Sequence, residues 1–213
     1  MRRSLATVLS LLGIAAATAF SSPYASAAQS TDVSILGIGR ATSVRTTSDM
    51  KPIPGTDAPN TGLARPGDNI AAICHIPDNN GVQWVLTLNR NGRAGQQYAN
   101  TTGFIRRDAL TLDSGTLTVA CDFFAETYDT QTASGIVQAD MKPIPGTDAP
   151  NTGLARAGDT LTVFCTLTDS NNQPWRLLIN TNGHAGSQYA NTAGFLPLNA
   201  LQTQSYSPPC GAT

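Results

Sequence analysis

The chain has 213 residues, of which 40% are hydrophobic and only 13% are charged, and its formal net charge is −1. This balance excludes a charge-rich helical bundle, and it gives no basic surface for nucleic acid or an anionic membrane. Glu126 is the only glutamate, and Lys51 and Lys142 are the only lysines. Because surface helices depend on Glu and Lys, the composition predicts an all-β protein.

The first 28 residues have the pattern of a secretory signal peptide. Arg2 and Arg3 precede an apolar stretch from Leu5 to Phe20, and Ala25-Ser26-Ala27 supplies small residues for cleavage near Ala28. The Ser-Leu-Ala after the arginines fits the general secretory route better than twin-arginine export. No later run is long and apolar enough to span a bilayer. We therefore expect a secreted, extracellular protein, either free or associated with the cell wall.

A long exact repeat divides the rest of the chain. The sequence DMKPIPGTDAPNTGLAR occurs at Asp49–Arg65 and again, unchanged, at Asp140–Arg156. The same offset of 91 residues aligns Trp84 with Trp175. Copies this similar must share a fold. The predicted organisation is a signal peptide (1–28), an N-terminal arm (29–48), repeat 1 (49–121), a linker (122–139) and repeat 2 (140–213).

The four cysteines predict two disulfide bonds, because exported chains with an even number of cysteines are usually oxidised. The repeat selects one of the three possible connectivities. Cys74 and Cys165 are equivalent, so we pair Cys74 with Cys121 and Cys165 with Cys210. A zinc site is the competing interpretation, but no two cysteines are close in sequence and the two histidines occupy non-equivalent positions.

Within one copy the sequence pattern is that of short strands. The identical stretch predicts an extended, turn-rich loop, because its prolines and glycines forbid a helix. In repeat 1 it is followed by predicted strands at Asn69–Ile76, Gln83–Asn89, Gly103–Ile105 and Leu117–Cys121, with a hairpin turn at Asp78–Gly81 and a loop at Arg90–Thr101. Short strands punctuated by glycine and proline describe a small barrel.

The order of these elements resembles that of a known family. An extended Pro/Gly loop, the Gly67-Asp68 turn, a strand ending in cysteine, the Trp84 strand, the Gly103-Phe104 strand and a terminal cysteine are similar to the bacterial SH3-like (SH3b) domains of secreted actinobacterial proteins. The resemblance covers both copies and implies two tandem small SH3-like β-barrels, each with one disulfide. It also implies non-catalytic domains that bind cell-wall peptides, other polymers or proteins. Met50–Gly55 departs from the Asn-Val-Arg-Ser-Gly core usual in the family, so no ligand specificity is transferred.

No group of residues in the sequence points to catalysis or to a cofactor. His75 and His184 align with Thr166 and Arg93, so neither imidazole belongs to the shared architecture. An oxidised cysteine is no nucleophile, and aspartates beside Gly, Pro or Asn are typical of turns. A calcium loop would need a bidentate glutamate, which both copies lack. We therefore predict a protein without enzymatic activity, cofactor or metal.

The identical stretch is the first candidate binding surface, because the strands of the two copies differ while this stretch does not. A recent duplication or a local gene conversion explains the identity equally well. A second candidate is the loop that carries Tyr98 and its copy Tyr189, whereas Trp84 and Trp175 are predicted to be core residues. The candidate contacts in the identical stretch are Lys51, Ile53, Asp57, Asn60, Arg65, Lys142, Ile144, Asp148, Asn151 and Arg156.

Three functions are compatible with this sequence. The first is a secreted two-site binding protein that recognises a cell-wall polymer or peptide, or a protein partner, with avidity from its two sites. The second is an adaptor subunit of a larger secreted complex, such as an actinobacterial antibacterial toxin particle. The third is a secreted protease inhibitor that presents the Pro-rich stretch. The N-terminal arm is expected either to pair with a partner's sheet edge or to be disordered.

Overall fold

A computed structural model describes residues 39–55, 57–90, 100–112, 119–122, 131–132, 138–146, 148–181, 191–201 and 207–210. Within these residues the protein is all-β, as predicted, with 3-10 turns at Arg107–Ala109 and Leu198–Ala200. No helix in this part of the chain is long and apolar enough to cross a membrane. The predicted signal peptide lies outside the described residues, as do Tyr98, Tyr189 and His184.

The described strands of the first half of the chain form two sheets. They are β1 (Arg40–Thr42), β2 (Ser48–Met50), β3 (Gly62–Ala64), β4 (Ile70–Pro77), β5 (Gln83–Asn89) and β6 (Thr101–Arg106). A four-stranded antiparallel sheet has the order β1-β4-β5-β6, and β2 pairs with β3 in a separate hairpin. The bridge between Lys51 and Phe104 attaches this hairpin to β6.

The second half reproduces the same two sheets. Its strands are β7 (Gln131–Thr132), β8 (Gln138–Met141), β9 (Gly153–Arg156), β10 (Thr160–Thr168), β11 (Pro174–Asn180) and β12 (Thr192–Pro197). The four-stranded sheet has the order β12-β11-β10-β7, and β8 pairs with β9. Even the register shift in the third strand recurs, between Ala72 and Cys74 in β4 and between Val163 and Cys165 in β10.

The long central strands follow the sequence pattern closely. β5 occupies the predicted range, and β4 differs from its prediction by one residue at each end. The turn between them is set by local hydrogen bonds, because the amide of Asp78 donates to the carbonyl of Val82 at 2.9 Å and the amide of Gly81 donates to the carbonyl of Asp78 at 2.9 Å. A short polar turn between two apolar runs therefore forms the predicted hairpin.

Two predicted elements differ from the structure. The identical stretch is not only a loop, because its ends form the β2–β3 and β8–β9 hairpins. The predicted strand Leu117–Cys121 is wrong over its described part, where Ala120 makes only an isolated parallel bridge to His75. The bridge is short because Cys121 turns into the core to reach Cys74.

The repeat also includes chain that the sequence comparison placed in the arm and the linker. β1 belongs to the predicted arm and pairs with β4, and β7 belongs to the predicted linker and pairs with β10. These two strands are equivalent, since Arg40 and Gln131 are separated by the offset of the repeat. The arm is thus ordered from Gly39 onward and pairs with its own repeat.

Both predicted disulfides are confirmed. Cys74 is bonded to Cys121 and Cys165 to Cys210, with Cα–Cα distances of 4.9 and 4.8 Å. All four cysteines belong to one buried cluster that contains core residues of both repeats. Two smaller clusters lie within single repeats, one around Met50 and Val85 and one around Met141 and Leu178. Residues 35–213 accordingly form one compact unit.

Candidate functional site

Each identical loop is closed by its own lysine. Lys51 Nζ donates to the carbonyl of Ala58 at 2.7 Å and to Asn60 Oδ1 at 2.6 Å. Lys142 makes the same two hydrogen bonds, to Ala149 and Asn151, at 2.7 Å each. The only two lysines of the chain thus hold the loops in one shape. A loop held in advance loses little conformational entropy when it binds a ligand.

The same loops lie against the third strand of the four-stranded sheet. The amide of Lys51 donates to the carbonyl of Phe104 at 2.9 Å, and the amide of Phe104 donates back at 2.7 Å. The approach is so close that a Cβ on Gly103 would lie 2.6 Å from Thr61 Oγ1 and 2.9 Å from Met50 Cβ. The Gly-Phe pair of each repeat is therefore a packing requirement of this contact.

The two loops also exchange hydrogen bonds between the repeats. The amide of Thr102 donates to the carbonyl of Pro143 at 2.8 Å, and the amide of Ala193 donates to the carbonyl of Pro52 at 2.7 Å. These four residues form two pairs at the repeat offset, so the exchange is reciprocal. The repeats are related by a pseudo-twofold axis, as in an isologous dimer.

This exchange covers the outer edges of β6 and β12, the last strands of the two four-stranded sheets. Edge strands carry unpaired backbone groups that need a partner. A self-complementary interface also constrains both copies of a loop, because a change in either one alters the same contact. The interface thus adds a physical reason for the identity of the stretch beside ligand binding and recent duplication.

A cleft of about 580 Å³ opens where the repeats meet. One wall is the segment Asn60–Leu63 of repeat 1, and the other comes from the loop Pro143–Pro150 of repeat 2. A smaller hollow of about 70 Å³ adjoins the same loops and is lined by four residue pairs related by the offset: Pro52 and Pro143, Pro59 and Pro150, Asn60 and Asn151, Thr61 and Thr152. This hollow marks the pseudo-twofold axis.

The structure separates the predicted contact residues into groups. Asn60, Ile144 and Asp148 line the large cleft, whereas their counterparts Asn151, Ile53 and Asp57 do not. Lys51 and Lys142 are engaged inside their loops. Arg65 and Arg156 lie half-buried at the Gly-Asp turns, away from the lining of the cleft.

The Gly-Asp turns place a buried carboxylate beneath each hairpin. Asp68 is only 4% exposed, and its Oδ2 accepts hydrogen bonds from the amide of Arg65 at 2.8 Å and from Asn89 Nδ2 at 2.9 Å. Asn89 Nδ2 also donates to the carbonyl of Leu63 in β3. The aspartate therefore joins the hairpin that carries the loop to the central sheet. Sequence reasoning identified the turn but missed Asn89 as its partner.

A second cleft, of about 470 Å³, lies beside the tryptophan of repeat 1. Trp84 is 3% exposed, as expected of a core residue, and forms part of the wall of this cleft. Arg106 and Asp108 line the same cleft and form an exposed ion pair at 2.6 Å. Repeat 2 has Pro197 and Asn199 at these positions, so the two charges belong to repeat 1 alone. The sequence comparison contained this signal, but the charges went unnoticed because only shared residues were considered.

The described residues include no group of three or more His, Cys, Asp or Glu side chains placed to hold a metal ion. The most perturbed cation is Arg176 of β11, which is 4% exposed where repeat 1 has Val85, and burial lowers the pKa of its guanidinium. A search of protein-family models and a search of curated proteins each find no match to the chain.

Proposed function

We propose that the protein is a secreted, non-enzymatic binding protein that recognises a cell-wall peptide or polymer where its two repeats meet. The observation that carries the proposal is the cleft between the identical loops. Its walls are largely apolar, with a few polar groups from Asn60, Thr61 and Asp148. Clefts of this size and composition are typical of ligand sites.

The rigidity of the loops supports a role in binding. Each loop is closed by a lysine, attached to its own β6 or β12 by a pair of backbone hydrogen bonds, and attached to the other repeat by one more. Preorganised surfaces bind more tightly because little freedom remains to be lost. The loops that sequence comparison singled out thus have the mechanical properties of a recognition surface.

Each repeat is, in this proposal, a small SH3-like barrel of the secreted actinobacterial kind. The bridge between Lys51 and Phe104 joins the β2–β3 hairpin to β6, and the bridge between Val44 and Leu110 brings the chain after the 3-10 turn back to the start of the repeat. Such bridges curl the two sheets toward closure, as a small barrel requires.

Secretion is supported by two independent features. The N-terminal sequence has the signal-peptide pattern, and both disulfides belong to the buried core, where they are compatible with an oxidising compartment.

The proposal is tested by co-sedimentation of the mature protein with purified peptidoglycan sacculi. We expect the wild type to pellet with the sacculi and Ile144→Ser to lose most of this binding, because Ile144 lines the cleft. Val119→Ser is the matched control, since Val119 is an exposed aliphatic residue outside the cleft. A wild type that stays in the supernatant would overturn wall binding and favour a secreted protein partner, which size-exclusion chromatography from culture supernatant would reveal as a co-eluting chain.

A further inference from the structure

We infer that the junction binds peptides that carry a free amino group, and that every bound peptide contacts both repeats at once. This inference rests on the proposed function and specifies its ligand. The cleft takes Asn60–Leu63 from repeat 1 and Pro143–Pro150 from repeat 2. Neither repeat alone contains both walls.

The chemistry of the lining selects a peptide. Leu63, Pro143 and Ile144 offer small apolar contacts, and none of the described lining residues is aromatic. A glycan chain would lack an aromatic face on which to stack, whereas short aliphatic side chains of a peptide fit such walls. An uncrosslinked stem peptide of peptidoglycan, with its alanines, is a ligand of this class.

The charge of the lining selects an amine. Asp148 is the only charged side chain among the described lining residues, and it is exposed to an incoming ligand. An ammonium group placed against a carboxylate forms a charge-assisted hydrogen bond, which is stronger than a neutral one. The free amine of a stem-peptide diamino acid would supply that group.

The pseudo-twofold axis implies a counterpart of this site on the other side of the junction. The residues at the repeat offset are Leu154 from repeat 2 with Ile53 and Asp57 from repeat 1. The hydrogen bonds of Thr102 and Ala193 across the junction are equivalent in the same way. One chain therefore offers two composite sites, each built from both repeats.

The amine is tested by calorimetric titration of the full mature chain with the tetrapeptide L-Ala-γ-D-Glu-L-Lys-D-Ala. We expect two bound peptides per chain, and acetylation of the lysine amine should weaken binding about tenfold through loss of the charge-assisted bond. The variant Asp57→Asn/Asp148→Asn should lose affinity for the free-amine peptide and leave the weak binding of the acetylated peptide unchanged. Equal affinity for both peptides would overturn the assignment of the amine.

The composite nature of the sites is tested by two matched double variants. Leu63→Ala/Ile144→Ala alters both walls of one composite site, so we expect one peptide per chain bound with unchanged affinity. Leu63→Ala/Ile53→Ala alters one wall of each site, so both peptides should bind more weakly. Sites confined to single repeats would give the opposite pattern. Binding to sacculi without binding to the peptide would overturn this inference alone, whereas failure of both assays would overturn the proposed function as well.

Discussion

Gly103 and Gly194 show how one atom limits the contact on which the junction depends. A Cβ at Gly103 would lie 2.6 Å from Thr61 Oγ1, and a Cβ at Gly194 would lie 2.6 Å from Thr152 Oγ1. Thr61 cannot move aside without cost, because its hydroxyl donates to the carbonyls of Met50 and Thr102. The hairpin and β6 therefore approach each other only where a glycine stands.

Replacing either glycine by alanine should destabilise the protein to a similar extent. We expect Gly103→Ala and Gly194→Ala each to lower the free energy of unfolding by about 2 kcal/mol, as overpacking of a close contact usually does. Urea unfolding at equilibrium measures the loss, with Asn79→Ala in the exposed hairpin turn as the control. Wild-type stability in either glycine variant would show that the loop can move away from the strand.

At the scale of elements, the β4–β5 and β10–β11 hairpins are each held by one aspartate. Asp78 accepts hydrogen bonds from the amides of Asn80 and Val82 and from Trp84 Nε1, and Asp169 has the same arrangement with Trp175. Partial burial alone would raise the pKa of Asp78, but these hydrogen bonds outweigh it and lower the pKa from 3.8. The amide of Gln173 is the largest cause of the lowered pKa of Asp169.

These lowered pKa values predict a loss of stability in acid. A carboxylate with a lower pKa in the folded state stabilises the fold above its unfolded pKa, and this contribution disappears as the pH falls through the folded pKa. We expect the melting temperature of the wild type to fall more steeply below about pH 4 than that of Asp78→Asn/Asp169→Asn. Melting curves from pH 7 to about pH 2 compare the two proteins. Parallel curves would mean that the hairpins do not depend on the charge.

The hairpins were predictable from sequence because their information is local. An apolar run, a polar turn and a second apolar run determine β4 and β5, and the spacing of the repeat determines the disulfides. β1 and β7 were not predictable, because Arg40–Thr42 and Gln131–Thr132 carry no alternating pattern and become strands only by pairing with β4 and β10. Their order depends on tertiary contacts rather than on propensity.

The candidate site was predictable in its residues but not in its assembly. Asn60, Ile144 and Asp148 were identified because the stretch repeats without change, yet the sequence gave no sign that loops of different repeats would meet in one cleft. That meeting depends on backbone hydrogen bonds such as that from Thr102 to Pro143, and any residue except proline can donate one.

At the scale of the whole molecule, the two repeats share one hydrophobic core. Trp84, Phe104, Trp175 and Phe195 are buried in a single cluster together with both disulfides. Arg90 adds a hydrogen bond from its Nη2 to the carbonyl of Cys210 at 3.3 Å, close to the end of repeat 2. Repeats joined in this way lose core contacts together, so unfolding of one exposes the core of the other.

We therefore expect a change in repeat 1 to destabilise repeat 2. Trp84→Phe leaves Trp175 as the only tryptophan, so its fluorescence reports the unfolding of repeat 2 alone. Adding Gly103→Ala in this background should lower the melting temperature seen by Trp175 by roughly 5 °C, the shift that a loss of about 2 kcal/mol produces in a chain of this size. The reciprocal pair, Trp175→Phe with and without Gly194→Ala, should shift the Trp84 signal equally. An unchanged Trp175 transition would mean that the repeats unfold independently, and the junction would then be a contact between two separate domains rather than part of one cooperative fold.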